Sequence, residues 1–280
     1  MKAHRCFVFA GTMGLFIALT AIAGLAAAEE HPLWEVGGGV AALSYPDYRG
    51  SNRQRGYLLP VPYFVYRGEM LQMDRDKMRG LLFKRERVEL DISIDGSVPV
   101  RSRDNGARQG MPNLDPTLEI GPALSILLLA FPDHGKLTFK LPVRAVIASD
   151  FRHVNDAGAL THPQLNLDVG MARGWRLGLV AGVLIADRRY HDYFYGVAPQ
   201  YSSIMRPAYR APGGYSGAQF IVAASKRFER MWLGAFIKYD NISHAAFAAS
   251  PLVERRSNIA AGIGLTWVFA QSKQQVNLKE

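Results

Sequence analysis

The strongest constraint on the fold is the alternation of apolar and small residues near the C-terminus, from Ile259 to Phe269. Successive side chains of a β-strand point to opposite faces of the sheet. One face of this segment therefore carries apolar side chains throughout, and the other carries small or mildly polar ones except at Val268. The first face suits lipid and the second suits a crowded interior. The segment is typical of the last strand of a transmembrane β-barrel.

Alternation with the same period recurs along the whole chain. Its sharpest internal example runs from Val88 to Val98, where Glu89, Asp91 and Asp95 share one face and apolar residues share the other. Carboxylates are hard to bury in a dry core but are ordinary when they face water, so alternation alone also allows a soluble β-sandwich. The pattern predicts twelve strands, at residues 34–43, 58–65, 70–75, 79–84, 88–98, 116–129, 136–149, 162–172, 175–186, 215–228, 231–241 and 257–269.

The lengths of the connections between these strands favour the barrel. Every second connection is short, and the others are long with one exception, at residues 44–57, 99–115, 150–161, 187–214 and 242–256. Outer-membrane barrels have short periplasmic turns and longer extracellular loops, whereas a sandwich has no reason to sort its loops in this way. We therefore predict an all-β fold, a transmembrane antiparallel up-and-down β-barrel of about twelve strands in the bacterial outer membrane, with both chain ends on the periplasmic side.

The N-terminus has the composition of an export signal. Lys2 and Arg5 precede an uncharged apolar run that ends in an alanine-rich segment before Glu29. We predict cleavage after Ala28; the alternative is a retained membrane helix, because the run is long enough to span a bilayer. The only cysteine, Cys6, lies in this segment, which excludes thiol chemistry in the mature chain. The predicted parts are a signal peptide at 1–28, a barrel at 29–269 and a periplasmic tail at 270–280.

The predicted long loops are rich in arginine. A guanidinium group binds phosphate through two parallel hydrogen bonds, so an arginine-rich rim would bind the phosphates of lipopolysaccharide. A solvated loop surface is an equally good explanation for any single arginine. Nucleic acid is a poor partner for an exported chain, despite the sequence pI of about 9.7. The loop arginines are Arg49, Arg53, Arg55, Arg101, Arg103, Arg108, Arg152, Arg188, Arg189, Arg206, Arg210, Arg255 and Arg256.

Aromatic residues near the predicted strand ends suggest interfacial girdles. Tyrosine and tryptophan are enriched where a barrel crosses the two membrane–water interfaces, because one end of each ring system is apolar and the other is polar. The predicted girdle residues are Trp34, Tyr45, Tyr48, Tyr57, Tyr63, Tyr66, Tyr215, Trp232 and Trp267.

The sequence offers no recognisable catalytic centre. Nucleophilic catalysis needs a nucleophile, a base and an orienting group within hydrogen-bond reach, and neither a G-x-S-x-G motif nor a serine–histidine motif is present beyond Ser243-His244. The histidines and aspartates, such as His191 and Asp192, lack the spacing of metal ligands. We therefore predict that the chain is not an enzyme, with no catalytic residue, no cofactor and no metal.

Charged residues on the inward face of neighbouring strands define the lumen. Two explanations compete: the charges line a water-filled pore and select solutes by their field, or they pair with one another and plug a barrel packed by side chains. Twelve strands lie between the small packed barrels and the wide porins, so the sequence leaves both open. The predicted lumen charges are Glu89, Asp91, Asp95, Glu119, Lys140 and Arg144.

Several loop motifs resemble the MipA/OmpV family of outer-membrane proteins. The motifs occur in order along the whole mature chain, and they are rich in the tyrosine, glycine and proline that more often fix loop structure than bind ligands. They are Asp47-Tyr48-Arg49-Gly50-Ser51, Leu59-Pro60-Val61-Pro62-Tyr63, Tyr66-Arg67-Gly68, Asp192-Tyr193-Phe194-Tyr195-Gly196-Val197, Arg206-Pro207-Ala208-Tyr209, Gly213-Gly214-Tyr215 and Ser250-Pro251-Leu252-Val253.

The resemblance implies a non-enzymatic barrel that organises peptidoglycan enzymes. The family's named member is a scaffold that joins a membrane-bound lytic transglycosylase to a bifunctional murein synthase, and other members are antigens or adhesins. A narrow pore for charged solutes and an adhesin with its contact in loop 187–214 are the alternatives. The tail 270–280 is either a disordered extension or the docking segment for the enzymes. The motif residues expected to hold the loops are Tyr48, Arg49, Gly50, Tyr193, Tyr195, Gly196, Arg206, Pro207 and Tyr209.

Overall fold

The computed structural model describes residues 30–67, 72–74, 77–79, 83–131, 135–150 and 152–277. The predicted signal peptide and its cleavage after Ala28 lie outside these ranges. Within them, no helix is long and apolar enough to cross a bilayer.

The described residues form sixteen β-strands and one short α-helix. The strands are β1 (Glu30–Pro32), β2 (Trp34–Pro46), β3 (Gln54–Arg67), β4 (Gln72–Asp74), β5 (Lys77–Arg79), β6 (Phe83–Lys84), β7 (Val88–Ser97), β8 (Thr117–Phe131), β9 (Gly135–Ser149), β10 (Val154–Thr161), β11 (Gln164–Gly170), β12 (Trp175–Ala186), β13 (Gly214–Arg227), β14 (Met231–Asn241), β15 (Ser257–Gln271) and β16 (Gln275–Asn277). The helix, α1, spans Arg188–Tyr195.

Strands β2 to β15 make one antiparallel sheet of fourteen strands. Among the described residues, sequential strands pair with each other except at two places: β5 and β6 share no ladder, and β10 and β11 both lie between β9 and β12. The C-terminal strand β15 pairs with β2 along most of its length. On the far side of the sheet, β5 comes into contact with β7. This is an up-and-down barrel, and it confirms the predicted fold class. Two further strands, β1 and β16, pair separately, so the first and last described segments of the chain lie side by side.

The burial pattern along the long strands follows the predicted alternation. In β13, Phe220 and Val222 are about half exposed, whereas their neighbours Ile221 and Ala223 are buried. The same rule holds in β15, where Ile263 is exposed and Ala260 is buried. The exposed apolar side chains form a continuous outer belt that suits the hydrocarbon of a bilayer. The inner faces meet in the lumen.

The prediction that residues 150–161 form a loop is wrong. The second part of this range is strand β10, which pairs with β9, and β10 continues into β11 after an interruption at His162 and Pro163. The pairing with β9 contains a bulge between Asp156 and Ala159, and Gly158 in that bulge has a φ of 98°. A bulge shifts the side-chain alternation by one residue, which erases the period-two signal in the sequence.

Glycine permits close contact where β2 and β15 close the barrel. A Cβ atom at Gly39 would collide with the backbone carbonyl oxygen of Leu265, and one at Gly37 would collide with that of Trp267. Only glycine fits at these two positions of the seam, because the two backbones approach closely there. The glycine run in β2 therefore determines where the last strand pairs with the first.

The predicted aromatic girdle is wrong for four of its members. Tyr45, Tyr48, Tyr63 and Trp232 are buried and point inward, whereas Trp267 is about half exposed on the outer surface. Position near a strand end does not reveal the direction of a side chain, since a register shift of one residue reverses it. The outward aromatic residues near the short-turn end are Phe131, Trp175, Phe228, Trp267 and Phe269.

The connections differ in length at the two ends of the barrel. Turns such as 85–87, 171–174 and 228–230 lie at one end, and the longest loops, which include 98–116 and 187–213, lie at the other. We place the long loops on the extracellular side, in keeping with the general rule for outer-membrane barrels.

Candidate functional site

Four extracellular loops fold into one compact unit, which we call the loop plug. It consists of residues 47–53, 98–116, 187–213 and 242–256, and it covers the extracellular mouth of the barrel. The apolar core of the plug contains Tyr48, Val100, Leu114, Tyr190, Phe194, Tyr195, Val197, Ala211, Ile242, Ala245, Phe247 and Leu252. These side chains pack against strand residues such as Val146 and Leu160, so the plug is continuous with the barrel interior.

Aromatic rings form the centre of the plug. Tyr195 stacks on Phe247 with ring centroids 3.6 Å apart, and His191 meets Phe247 edge-on at 4.7 Å. Helix α1 holds His191 and Tyr195 on one face because they are four residues apart. The helix begins at Asp187, whose side chain accepts a hydrogen bond from the Tyr190 backbone N–H. Burial raises the pKa of Tyr195 to about 12, so its hydroxyl remains protonated.

The first loop is tied by hydrogen bonds to the last loop and to the start of β15. The Tyr48 hydroxyl donates to the carbonyl oxygen of Leu252 at 2.9 Å, and the Gly50 N–H donates to Asn258 Oδ1 at 2.6 Å. Gly50 has a φ of +98°, and a Cβ there would lie 2.8 Å from Cδ1 of Ile242. The position therefore requires glycine both for its backbone conformation and for its packing.

Two arginines, Arg108 and Arg206, tie the remaining loops together. Arg108 donates to the carbonyl oxygen of Phe194 at 3.1 Å and to that of Pro112 at 3.2 Å. Burial lowers the pKa of Arg108 from its very high ordinary value. Arg206 donates to the carbonyl oxygens of Ala107 and Gln109 at 3.0 and 2.8 Å. Both guanidinium groups thus bridge loops 98–116 and 187–213.

The motif residues expected to hold the loops all lie within the plug. Tyr193 donates to the Asp115 carbonyl oxygen at 3.1 Å, and Tyr209 pairs with Val197 through two backbone hydrogen bonds. Pro207 is exposed. The backbone N–H of Gly196 closes α1 by donating to the Asp192 carbonyl oxygen.

The arginine rim is smaller than the sequence suggests. Arg49 donates to Ser216 Oγ, and Arg55 pairs with Asp47. Arg108 and Arg206 donate hydrogen bonds to loop carbonyl oxygens. These four guanidinium groups therefore stabilise the plug and are not part of an exposed rim. The loop arginines that remain exposed are Arg53, Arg101, Arg103, Arg152, Arg188, Arg189, Arg210, Arg255 and Arg256.

The structure brings most of the predicted lumen charges together on β7, β8 and β9. Asp95 and Glu119 face each other across the β7–β8 pair. Arg144 on β9 reaches both, with Nη1 3.1 Å from Asp95 Oδ2 and 3.0 Å from Glu119 Oε2. Lower in the barrel, Lys140 Nζ lies 3.7 Å from Asp91 Oδ2. Glu89 is half-buried near the start of β7.

Strands β2, β3, β13, β14 and β15 carry an apolar cluster on their inward faces. Its buried residues include Leu43, Val61, Ile221, Trp232 and Phe236. Three of the charged residues are also buried: Asp91 is 1% exposed, and Glu119 and Arg144 are each 8% exposed, whereas the side chain of Asp95 is 42% exposed. The lumen is therefore closed to water around Asp91, Glu119 and Arg144.

An ion pair near the periplasmic end is missing from the predicted lumen charges. Glu35 on β2 is fully buried; it accepts a hydrogen bond from the Tyr63 hydroxyl at 2.7 Å, and its Oε2 lies 3.0 Å from Arg227 Nη1. Higher up, Lys238 Nζ lies 3.5 Å from Asp240 Oδ2. A charged residue at an inward position of a strand is the signal that could have revealed each pair.

No grouping in the described part of the chain resembles a metal centre with three or more His, Asp or Glu side chains. His191 is buried in the plug, and its Nδ1 donates to the carbonyl oxygen of Pro212 at 2.6 Å. Burial lowers the pKa of His191. This histidine has a packing role in the plug.

A match to a protein-family model shows the family to which the chain belongs. Residues 38–269 match the family model described as MltA-interacting protein MipA. The chain belongs to the MipA family. Its match begins within β2 and ends two residues before the end of β15, and the protein is accordingly an outer-membrane β-barrel. The search of curated proteins gave no match.

Solved structures with a related shape are distant from this MipA-family chain. An outer membrane channel from Pseudomonas putida F1 is 12% identical, with a TM-score of 0.43, over 88% of this chain and 100% of that one. The toluene transporter TbuX of Ralstonia pickettii is 11% identical, with a TM-score of 0.28, over 90% and 72%. OprG of Pseudomonas aeruginosa is 10% identical, with a TM-score of 0.20, over 86% and 95%. These similarities are too weak to carry an inference about function.

Proposed function

We propose that the protein is a sealed, non-enzymatic barrel that anchors a murein-remodelling enzyme at the periplasmic face of the outer membrane. The observation that carries this proposal is the burial of the lumen. Three of the charged side chains that would line an open pore, those of Asp91, Glu119 and Arg144, are buried, and the loop plug packs against residues of the barrel interior at the extracellular end. A barrel of this kind would bind partners at its surfaces and would not conduct solutes.

The family description supplies the class of partner. The described family interacts with MltA, a murein enzyme, and the resemblance in the loop motifs agrees with that family. A partner in the periplasm can reach only the short turns and the paired chain ends. Strand β16 pairs with β1, and the Leu33 N–H donates to the carbonyl oxygen of Gln274 at 2.8 Å. We propose this two-stranded unit as the docking element.

The proposal is tested by affinity capture with a purified lytic transglycosylase. Removal of residues 272–280 deletes β16 but leaves the long barrel strands, so capture should be lost while the barrel still migrates faster unheated than boiled on a denaturing gel. Deletion of the loop tip 202–205 is the matched control and should leave capture intact. Capture by the truncated protein would exclude the tail as the docking element, and no capture by the full chain would overturn the scaffold function.

Conductance measurements distinguish the scaffold function from the pore function. The sealed lumen predicts that the refolded barrel is silent in a planar bilayer, and that Asp91→Asn does not create a selective current. Steady ohmic conductance that changes its ion selectivity in Asp91→Asn or Asp95→Asn would instead make transport the function, because carboxylates in a narrow lumen attract cations.

One observation favours a second candidate, surface adhesion. Ile204 is 100% exposed and Met205 is 89% exposed at the tip of loop 187–213, although the rest of that loop packs into the plug. Such a tip would contact another surface directly. Replacing both residues by serine should abolish binding to host cells or matrix if adhesion is the function, and should leave binding unchanged if it is not.

A further inference from the structure

A lysine lies among aromatic side chains on the outer surface, at the periplasmic end of the barrel. Trp175 starts β12 and is paired directly with Lys226 near the end of β13. The Lys226 ammonium lies 5.8 Å from the Trp175 ring centroid and 5.1 Å from that of Phe228. Both rings are exposed, so this ammonium is on the side of the wall that faces lipid.

The alternation along β13 supports the outward direction of Lys226. Its neighbour Ser225 is buried in the lumen, and its other neighbour Arg227 pairs with Glu35 inside the barrel. A lysine between two inward residues must point outward. On that side, the aromatic rings mark the membrane–water interface, and a lysine there extends its ammonium to the headgroups.

Two arginines in the adjacent turns add to this charge. Arg173 is exposed in the turn before Trp175 and has a φ of 62°, and Arg230 is exposed in the turn after Phe228. Residues 171–174 and 228–230 contain one acidic residue, Glu229. The patch formed by these two turns and the Lys226 side chain therefore has a net positive charge at headgroup depth.

We propose that this patch, defined by Arg173, Trp175, Lys226, Phe228 and Arg230, binds the phosphate group of an anionic phospholipid in the periplasmic leaflet. Guanidinium and ammonium groups are the usual partners of phosphate. The rings hold the cations at the interface, and outward apolar residues such as Val222 continue the surface toward the acyl chains. Lipopolysaccharide is not the occupant, because its phosphates lie at the opposite membrane face, where the long loops are.

The charge of the patch determines how strongly the barrel should prefer anionic over zwitterionic lipid. Each lysine or arginine near an anionic lipid surface contributes about 1 kcal/mol, which is about fivefold in affinity. Replacement of three cations should therefore reduce the preference for anionic over zwitterionic lipid by roughly 100-fold, and each single replacement by about fivefold.

The test counts lipids bound to the refolded full-length barrel by native mass spectrometry, with phosphatidylglycerol and phosphatidylcholine as probes. The wild type should retain phosphatidylglycerol preferentially, the variant Arg173→Gln/Lys226→Gln/Arg230→Gln should lose that preference, and the conservative variant Arg173→Lys/Arg230→Lys should keep most of it. The matched control is Arg101→Gln/Arg152→Gln/Arg188→Gln, which removes three exposed arginines from the extracellular loops and should leave the preference unchanged. Heat-dependent gel migration verifies that each barrel is folded.

Four results would overturn the proposal. One is equal retention of the two phospholipids by the wild type, and another is an unchanged preference in the triple glutamine variant. The third is displacement of phosphatidylglycerol by inorganic phosphate at similar concentration, which would reveal a phosphate site that does not recognise a lipid. Loss of the preference in the extracellular control would also contradict the assignment to the periplasmic patch.

Discussion

Phe247 is the residue whose truncation should loosen the loop plug most. Its side chain is fully buried, it stacks on Tyr195 and it meets His191 edge-on. Replacement of a buried phenylalanine by alanine costs about 3–5 kcal/mol, since transfer energy is lost and a cavity remains. Phe247 belongs to the loops and not to a barrel strand, so this cost should fall on the plug.

The expected change is large enough to measure by hydrogen exchange. At about 1.4 kcal/mol for each factor of ten, Phe247→Ala should raise the opening equilibrium of the plug by two to four orders of magnitude. Amides that exchange through plug opening, in residues 187–213 and 242–256, should exchange faster by the same factor. Amides in the middle of β13 and β14 should not change, because the sheet hydrogen bonds there remain intact.

Ile204→Ala provides the control, since Ile204 is fully exposed at the tip of the same loop and should leave exchange unchanged. The reasoning fails if Phe247→Ala leaves exchange in both loops at the wild-type rate while the barrel is folded. It also fails if β13 and β14 lose protection together with the loops, because the plug would then not be a separate cooperative unit.

Four further changes test individual contacts. Gly50→Ala should destabilise the plug by about 1–2 kcal/mol because of the positive φ at this position, and by a further amount because the new Cβ meets Ile242. Gly110→Ala is the control, since Gly110 also has a positive φ but no atom lies within 4 Å of the new Cβ. The difference between the two variants in loop proteolysis therefore measures the contact with Ile242. Tyr195→Phe removes the hydrogen bond to the Arg49 carbonyl oxygen and should cost about 0.5–1.5 kcal/mol in the same assay. Glu35→Gln should lower the free energy of unfolding in urea by about 1.5–3 kcal/mol, because the Arg227 guanidinium loses a charged acceptor. Burial lowers the pKa of His191, so the neutral form stabilises the plug at neutral pH. The opening equilibrium of the plug, taken from loop exchange rates divided by the intrinsic exchange rate at each pH, should rise as the pH falls below about 6.5, and His191→Gln should abolish this pH dependence.

The sequence predicts the strands of the barrel wall better than it predicts the side-chain contacts inside the lumen and the plug. Alternation in β7, β13 and β15 survives into the structure because each of these strands has lipid on one side and the lumen on the other. The strand β10 was missed because its bulge and Gly158 break the period. Strand positions thus follow from local pattern wherever the backbone is regular.

The plug could be predicted only in part. The motif residues around Tyr48 and Tyr195 were expected to have a structural role, but their mutual contact joins positions that are far apart in the chain. Arg49 and Arg108 look like surface residues in the sequence, because nothing local indicates that a carbonyl or hydroxyl from another loop will meet them. Side-chain direction in long loops depends on tertiary packing, which a period-two pattern does not contain.

The hydrogen bonds between the first and last loops have a consequence for biogenesis. Tyr48 bonds Leu252 and Gly50 bonds Asn258, so partners about two hundred residues apart must both be in place before either bond exists. Such long-range contacts form late, since the loop-closure entropy is paid first. A chain inserted without β15 would therefore be an open sheet with an unsealed extracellular end, because β15 closes the barrel on β2, and sealing would coincide with the completion of assembly. Protease resistance of the extracellular loops should accordingly mark the last step of insertion.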